Sequence, residues 1–413
     1  MTYLSLLRQR RGFQALWLAQ VISLTGDWFN TIAAVILINR YTHSGLAVGG
    51  LFLARALPPF VLGPAAGVVA DRFNRKWVLI ASDLLRAVIV LGYLFVDRPE
   101  RAWLLFVLSV AQFSVSSFFE PARAAILPNL VEGDELIPAN TLSSITWSAM
   151  LAFGAAIGGL TAAVFGARTA LVVDSLSFVL SAALVFPIVY RSRHGDRASR
   201  GDGLSDFIAG LGYIRENPKV GMVALVKAMG QVGSADILIA VYAARVFKVG
   251  QDGALTLGLM FACFGLGAIA GPLIGNALGA RTARSLQLAI VAGFLCVPFG
   301  WFMLGIAPTL PLALIGITLR GIGTSINWTY SDVLLQMTTP DRFMGRVFAL
   351  DFGIFTLAMS ASVWFSGAAL DRLALDPRTL ALGFAAGSLV PLALWSLASQ
   401  RYRMGEAPAS SAV

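Results

Sequence analysis

Twelve apolar stretches divide this chain, and that repetition leaves few folds open. They run approximately over 14–39, 46–70, 77–96, 102–121, 142–165, 169–190, 219–246, 254–278, 285–306, 310–332, 346–370 and 379–399. About 20 apolar residues in helical form cross the hydrocarbon layer of a bilayer, where backbone polar groups must be satisfied within the segment itself. The spacing therefore predicts an all-α membrane protein with about 12 transmembrane helices in two pseudo-symmetric six-helix bundles. Composition agrees: only 13% of the 413 residues are charged and the mean hydropathy is +0.76, whereas soluble domains carry about twice that charge. Arg8, Arg10 and Arg11 precede the first stretch. No small-residue cleavage site follows them, so that stretch reads as a retained first helix and not a signal peptide.

The basic residues set the orientation. Of 31 Lys and Arg, 19 fall in segments that are cytoplasmic if the N-terminus is inside, eight in external links and four (Arg55, Arg86, Lys227, Arg320) in the spans. Excess base marks the cytoplasmic side, so the expectation is a bacterial inner-membrane protein with both termini cytoplasmic. The net charge of +9 is spread over short links and makes no patch for nucleic acid; the lipid bilayer is the macroscopic partner. Cys263 and Cys296 lie in apolar segments, and His43 and His194 have no metal-ligand company. No disulfide, metal or cofactor is expected.

The longest polar stretch divides the spans six and six. The expected domains are an N-terminal bundle over 1–190, a linker over 191–218, and a C-terminal bundle with a short tail over 219–413. Within the linker, Leu204, Phe207, Ile208, Leu211 and Ile214 recur at helical spacing between a capping Ser205 or Asp206 and Pro218. This predicts a short amphipathic helix on the cytoplasmic face. The halves also repeat one another. Gly63-Pro64-x-x-Gly67-x-x-x-Asp71 recurs as Gly271-Pro272-x-x-Gly275-x-x-x-Gly279 at an offset of 208, and Leu127 to Glu135 aligns with Leu334 to Arg342 at 207. Repeats of this kind place a substrate site near the midplane between the halves.

Charges inside the spans are the main functional signal, because each costs about 2.5–3.5 kcal/mol on insertion scales. Gln20, Asp27 and Thr31 share one face of the first helix, with Ser23 and Asn30 beside them. Asp27 is the leading candidate for a proton-exchanging carboxylate; the alternative is a fixed salt bridge to Arg55 or Arg123, and the sequence leaves both open. Asp236 is the second candidate. Gln112, Ser116, Phe119 and Arg123 form a stripe on the fourth helix with Glu120 adjacent. Arg320, Thr324, Asn327 and Ser331 do so on the tenth, and Lys227, Gln231 and Ser234 on the seventh. Read as the walls of a hydrated cavity, these stripes make Arg55, Gln112, Arg123, Lys227, Arg320 and Asn327 cargo contacts or charge partners. Asp83 and Arg86, three residues apart, are placed to neutralise one another. Asp332 and Asp351 flank the tenth link, where gating and transport roles are both open. There is no Gly-x-x-x-x-Gly-Lys-[Ser/Thr] loop for direct ATP drive and no Gly-x-Ser-x-Gly nucleophile motif.

Gly67-Val-Val-Ala-Asp71-Arg72-Phe-Asn74-Arg75-Lys76, between the second and third spans, resembles the gating loop of major facilitator superfamily transporters. Asn74 stands where a second Gly is usual, as a residue tolerant of left-handed backbone. Pro121-Ala-Arg123-Ala-Ala-Ile-Leu-Pro128 and Tyr213-Ile-Arg-Glu-Asn-Pro218 are similar to segments of that superfamily's drug-efflux and siderophore-export branch, which includes macrolide pumps and the enterobactin exporter. Gly154-Ala155-Ala-Ile-Gly158-Gly159 resembles the antiporter motif, with Ala155 for its Pro. The resemblance implies alternating access without enzymatic activity and, as its function, monomeric export of an amphiphilic small molecule in exchange for protons. It also implies a latch in which Asp71 lies near Gly345 and Arg346, and Arg75 pairs with Glu120. Gly279 leaves the second half's latch incomplete. Gly26-Asp27 and the Pro-Ala-Arg segment also look like those of lysophospholipid transporters, so a lipid cargo is the alternative; a non-transporting receptor or scaffold is a third reading.

Overall fold

The structure, a computed structural model, describes residues 3–132, 135–189, 211–280 and 282–402. The basic linker over 191–210, Arg281, the tail beyond 402 and the side chain of Asp71 lie outside the described residues. All regular structure among those described is helical: α1 (Tyr3–Gln9), α2 (Arg11–Thr42), α3 (Gly45–Arg72), α4 (Arg75–Gly92), α5 (Trp103–Ile126), α6 (Leu136–Phe165), α7 (Ala167–Val185), α8 (Pro218–Ala224), α9 (Val226–Met229), α10 (Ala235–Val241), α11 (Ala254–Ala277), α12 (Ala283–Ile306), α13 (Leu310–Thr338), α14 (Asp341–Asp371), α15 (Pro377–Gly387) and α16 (Leu389–Arg401). Among the described residues, eleven helical segments are long and apolar enough to cross a membrane, α15 and α16 together making the last.

The stretch expected as the seventh span, 219–246, is not one helix. It runs as α8, α9 and α10 with a π-helical turn (Tyr242–Val246), and its backbone leaves helical form between Gly230 and Ser234. One glycine explains the break. Gly233 takes φ +80°, and a Cβ there would meet the Phe384 ring at 2.5 Å, so only glycine fits. Ser234 consequently leaves the face it was expected to share with Lys227 and Gln231. Its N–H donates to Ser366 Oγ at 3.3 Å.

The chain forms two compact units. Unit 1 takes residues 1–199 and 239–262, and unit 2 takes 200–238 and 263–413. In unit 1, α2 packs on α6 and α7, α3 on α5, and α4 on α5 and α7. Leu6, Phe13, Leu16, Phe119, Ile126 and Leu127 are buried together at one end. In unit 2, α12 packs on α13, α15 and α16, and α9 on α13 and α14. Of the linker helix, 211–216 is described and is helical; Tyr213 stacks on Phe343 with ring centroids 4.4 Å apart.

The loop between α3 and α4 forms differently from the expectation for Asn74. Its φ is −67°, and its side chain accepts the Lys76 N–H at 3.1 Å as the N-cap of α4. Capping explains an Asn here, and left-handed tolerance does not. At the corresponding place in the other half, Gly279 has φ +85° and Ala280 N–H reaches back to Gly275 C=O at 3.0 Å. This left-handed glycine closes the end of α11, which accounts for Gly where the first half has an acid.

Candidate functional site

Two charged clusters, one in each unit, hold most of the ionisable residues of the spans. In unit 1, α2 carries Asp27 with its side chain 24% exposed. The nearest cation is Arg86 of α4, with Nη1 3.9 Å from Asp27 Oδ2, and neither Arg55 nor Arg123 fills that place. Arg55 donates to Asn30 Oδ1 at 3.2 Å and Thr31 Oγ1 at 2.5 Å and lies over the Phe113 ring. Arg123 is held by Glu120 and by Ser143 Oγ at 3.3 Å. Arg55 lies within electrostatic reach of Asp27, but Arg86 alone comes within ion-pair distance of it.

Arg86 is itself buried and shared. It pairs with Asp83, as the spacing implied, and Asp83 Oδ2 accepts from Ser181 Oγ at 2.6 Å. Phe119 and Phe178 face its guanidinium, with ring centroids 4.7 and 4.3 Å away. Aromatic faces stabilise a cation withdrawn from water. Asp174 of α7, which the sequence reading did not single out, completes the cluster. It is fully buried, neither carboxylate oxygen has a hydrogen-bond partner, and Oδ1 would lie 2.6 Å from a Cβ on Gly26. Gly26 thus lets α7 approach α2 beside Asp27. A lone acid in the apolar run 169–190 was the available signal.

The expected latch residues are placed as follows. Arg75 donates to the carbonyls of Ala125 at 2.8 Å and Ala70 at 3.3 Å. Glu120 accepts instead from Arg123 Nε at 2.9 Å, because one helical turn within α5 brings those two together. Arg72 is exposed, and Lys76 Nζ lies 5.3 Å from the Phe186 ring centroid. Gly67 has nothing described within 4 Å of its Cβ position. The antiporter-like glycines are close-packing positions. A Cβ on Gly154 would be 2.8 Å from Trp28 Cδ1, one on Gly158 3.3 Å from Trp28 O, and one on Gly159 2.5 Å from Gly258 Cα. Gln112 is buried with neither amide atom bonded. Below this region, Arg10 joins Glu135 at 2.8 Å and Glu132 at 2.5 Å. The Glu132 backbone N–H, followed by Arg10, holds the Glu135 carboxyl below the usual carboxylate range.

In unit 2, Lys227 Nζ lies 2.5 Å from both Asp332 Oδ1 and Asp351 Oδ2. The rings of Trp328 and Phe348 face it at 4.7 and 5.7 Å. Arg320, buried in α13, donates to Thr324 Oγ1 and to Gly230 C=O, the latter at 3.1 Å. Trp301 Nε1 donates to Val232 C=O at 3.1 Å. Arg320 and Trp301 therefore satisfy carbonyls that the break before α10 releases. Asp236, at the start of α10, lies within electrostatic reach of Arg320. Asn327 and Ser331 are buried with Arg320, and Thr324 and Asn327 line a small cavity with Lys227 and Gln231. Of the stripe, Arg320 alone reaches a carbonyl freed by the helix break; Ser331 donates to Trp328 C=O within its own helix. Among the described residues no cluster of His, Cys, Asp and Glu is arranged to hold a metal ion.

Comparison with known proteins follows these features. The transmembrane secretion effector family matches residues 2–412. The uncharacterized MFS-type transporter YfiS of Bacillus subtilis is 29% identical over 369 residues, covering 86% of this chain and 85% of that protein. Macrolide efflux protein A of Streptococcus pyogenes is 24% identical, covering 88% and 90%. Enterobactin exporter EntS of Shigella boydii is 27% identical, covering 83% and 82%. Among solved structures, a bacterial homologue of the human lysosomal transporter Spinster superposes with a TM-score of 0.75 at 14% identity, covering 97% of this chain and 99% of that one. A bacterial homologue of the iron transporter ferroportin gives 0.71 at 16%, covering 95% and 99%. These relatives are transporters and not enzymes. A family match over nearly every residue, on an all-helical membrane fold, places the chain: it belongs to the transmembrane secretion effector family of major facilitator superfamily transporters.

Proposed function

We propose that this protein exports an amphiphilic organic solute across the bacterial inner membrane by alternating access, in exchange for protons, with Asp27 as the exchanging carboxylate. The observation that carries the reading is the sharing of Arg86. One buried guanidinium serves Asp83 at salt-bridge distance and Asp27 at 3.9 Å. Asp83 is sealed, whereas Asp27 keeps partial exposure. A carboxylate loosely held by a shared cation, and open on one side, can take up and release a proton at small structural cost. Asp236 beside Arg320 is the weaker counterpart in unit 2. The names of the macrolide and enterobactin exporters support a small organic cargo, for which aromatic side chains supply adaptable contact. A monomer suffices.

The test is proton flux in proteoliposomes containing a pH-sensitive dye, challenged with a macrolide, a catecholate siderophore, a hydrophobic cation or a lysophospholipid. Cargo-dependent flux that disappears in Asp27→Asn, with insertion intact, is expected. Flux that survives in the variant moves the exchange elsewhere. Cargo movement without proton flux overturns the antiport, and lysolipid movement of that kind supports a lipid transporter instead.

A further inference from the structure

The repeat between the halves assigns a role to a second cluster. In unit 1, α2, α5 and α6 meet at Gln20, Arg123 and Ser143. Gln20 Nε2 donates to Ser143 C=O at 3.4 Å, and Arg123 Nη1 to Ser143 Oγ at 3.3 Å. Lys227 and Asp351 follow Gln20 and Ser143 at offsets of 207 and 208 residues, the offsets that relate the halves, and Asp332 stands on α13, the counterpart of α5, two residues past the position that aligns with Arg123. Unit 1 thus shows that the fold fills this three-helix junction with a neutral amide, a hydroxyl and one base. In unit 2 the counterparts of these three helices meet instead at three ionisable side chains, Lys227, Asp332 and Asp351, which packing alone does not require.

Their charges do not balance. One ammonium stands 2.5 Å from each of two carboxylates, leaving one negative charge in excess. An unbalanced charge inside a membrane bundle is expensive. The charged groups within electrostatic reach of Asp351 among the described residues are Lys227 from α9 and Asp332 from α13. Trp328 and Phe348 supply the other walls. The two carboxylates differ in access: the Asp332 side chain is 27% exposed and that of Asp351 1%. Asp351 Oδ1 is buried with no hydrogen-bond partner. The geometry is that of a short relay, with one carboxylate open to water, one sealed, and an ammonium between them.

We propose that Lys227, Asp332 and Asp351 form a second proton-binding site in which one proton, shared by two carboxylates, completes the charge balance of one ammonium. Asp332 exchanges the proton with water and Asp351 is the buried partner. Uptake converts one carboxylate to a carboxylic acid, leaves Lys227 an ammonium, and takes the cluster from a net charge of −1 to zero. The site extends the proton-exchange reading of Asp27 without depending on it.

The test needs no cargo. Infrared difference spectra of purified, reconstituted protein, recorded between acidic and alkaline buffer, read the protonated carboxyl band. The expected result is a component of that band, equivalent to one proton per chain beside whatever Asp27 itself contributes, that Asp351→Asn removes and Asp27→Asn leaves in place. Asp332→Asn, at the most exposed of the three side chains, is expected to abolish it too, and it decides the matter should Asp351→Asn fail to fold. In either variant the single remaining carboxylate is already matched by Lys227. A band unchanged in the folded triad variants overturns the proposal and identifies a fixed salt bridge, whatever happens to Asp27. Loss of the triad band together with undiminished cargo-driven flux in Asp27→Asn supports this site while removing Asp27 as the exchanging group.

Discussion

Replacing Gly159 by Ala adds one methyl group at a place where two helices touch through their backbones. The added Cβ would lie 2.5 Å from Gly258 Cα and 3.0 Å from both Gly258 N and Ala254 O. All three are backbone atoms, so no rotamer change relieves the clash. Ordinary carbon–carbon contact needs about 3.5–4.0 Å, and α6 must therefore move about 1 Å or more from α11. Overpacking on that scale costs about 1–3 kcal/mol, or about 5- to 150-fold in the population of the close-packed arrangement. Gly67→Ala is the matched control, since nothing described lies within 4 Å of its Cβ position. Removing a glycine from a helix interior there should be neutral or stabilise by up to about 1 kcal/mol. Thermal unfolding in detergent, followed by a thiol-reactive fluorophore at the partly buried Cys263 and Cys296, separates the two. Gly258→Ala should behave like Gly159→Ala, because its Cβ meets Ala155 O at 2.8 Å. Equal midpoints for Gly159→Ala and Gly67→Ala would refute the account of the motif as close packing.

Arg86→Met strands the buried Asp83 and should cost about 3–5 kcal/mol; Arg86→Met with Asp83→Asn should recover most of the folded yield on gel filtration. Arg320→Met leaves the Gly230 carbonyl without its donor, at a cost of about 1–3 kcal/mol, and should speed proteolysis near Gly230. Acidification should weaken the Arg10–Glu135 pair. The folded carboxyl titrates below its unfolded value of about 4.3, so its stabilisation is present above that pH and is lost as pH falls through the folded value. Glu135→Gln should flatten the acid side of the stability profile; an unchanged profile would show that the pair contributes nothing.

What the sequence made legible followed from properties that survive averaging. Apolar length located the membrane-length helices, all but the interrupted stretch 219–246. The break at 230–234 was hidden because Gly230 and Gly233 are two glycines among 41 in a stretch whose hydropathy stays high. Partners were harder than candidates. Arg86 meets Asp27 from a different helix, 59 residues away in sequence, and Lys227 finds its carboxylates 105 and 124 residues away. Periodicity ranks faces of one helix and carries no information about which face of another it meets. The Gln20–Lys227 correspondence was nevertheless present in the offset between the halves. Asp174 was visible as a charge in an apolar run, with Ser177 and Ser181 on its face at i+3 and i+7.

The interruption of the seventh span also has a mechanical meaning. Backbone bonding on one side ends with Gln231 on Ala228, and on the other resumes with Leu238 on Ser234. An unbroken helix transmits torque along its length through successive i to i−4 bonds, as a rod does. Here the rod is cut and pinned: Arg320 grips Gly230, Trp301 grips Val232, and Ser366 grips Ser234. Twist applied to α9 is delivered to the anchors and not to α10, so the two segments behave as separate levers sharing one fixed fulcrum.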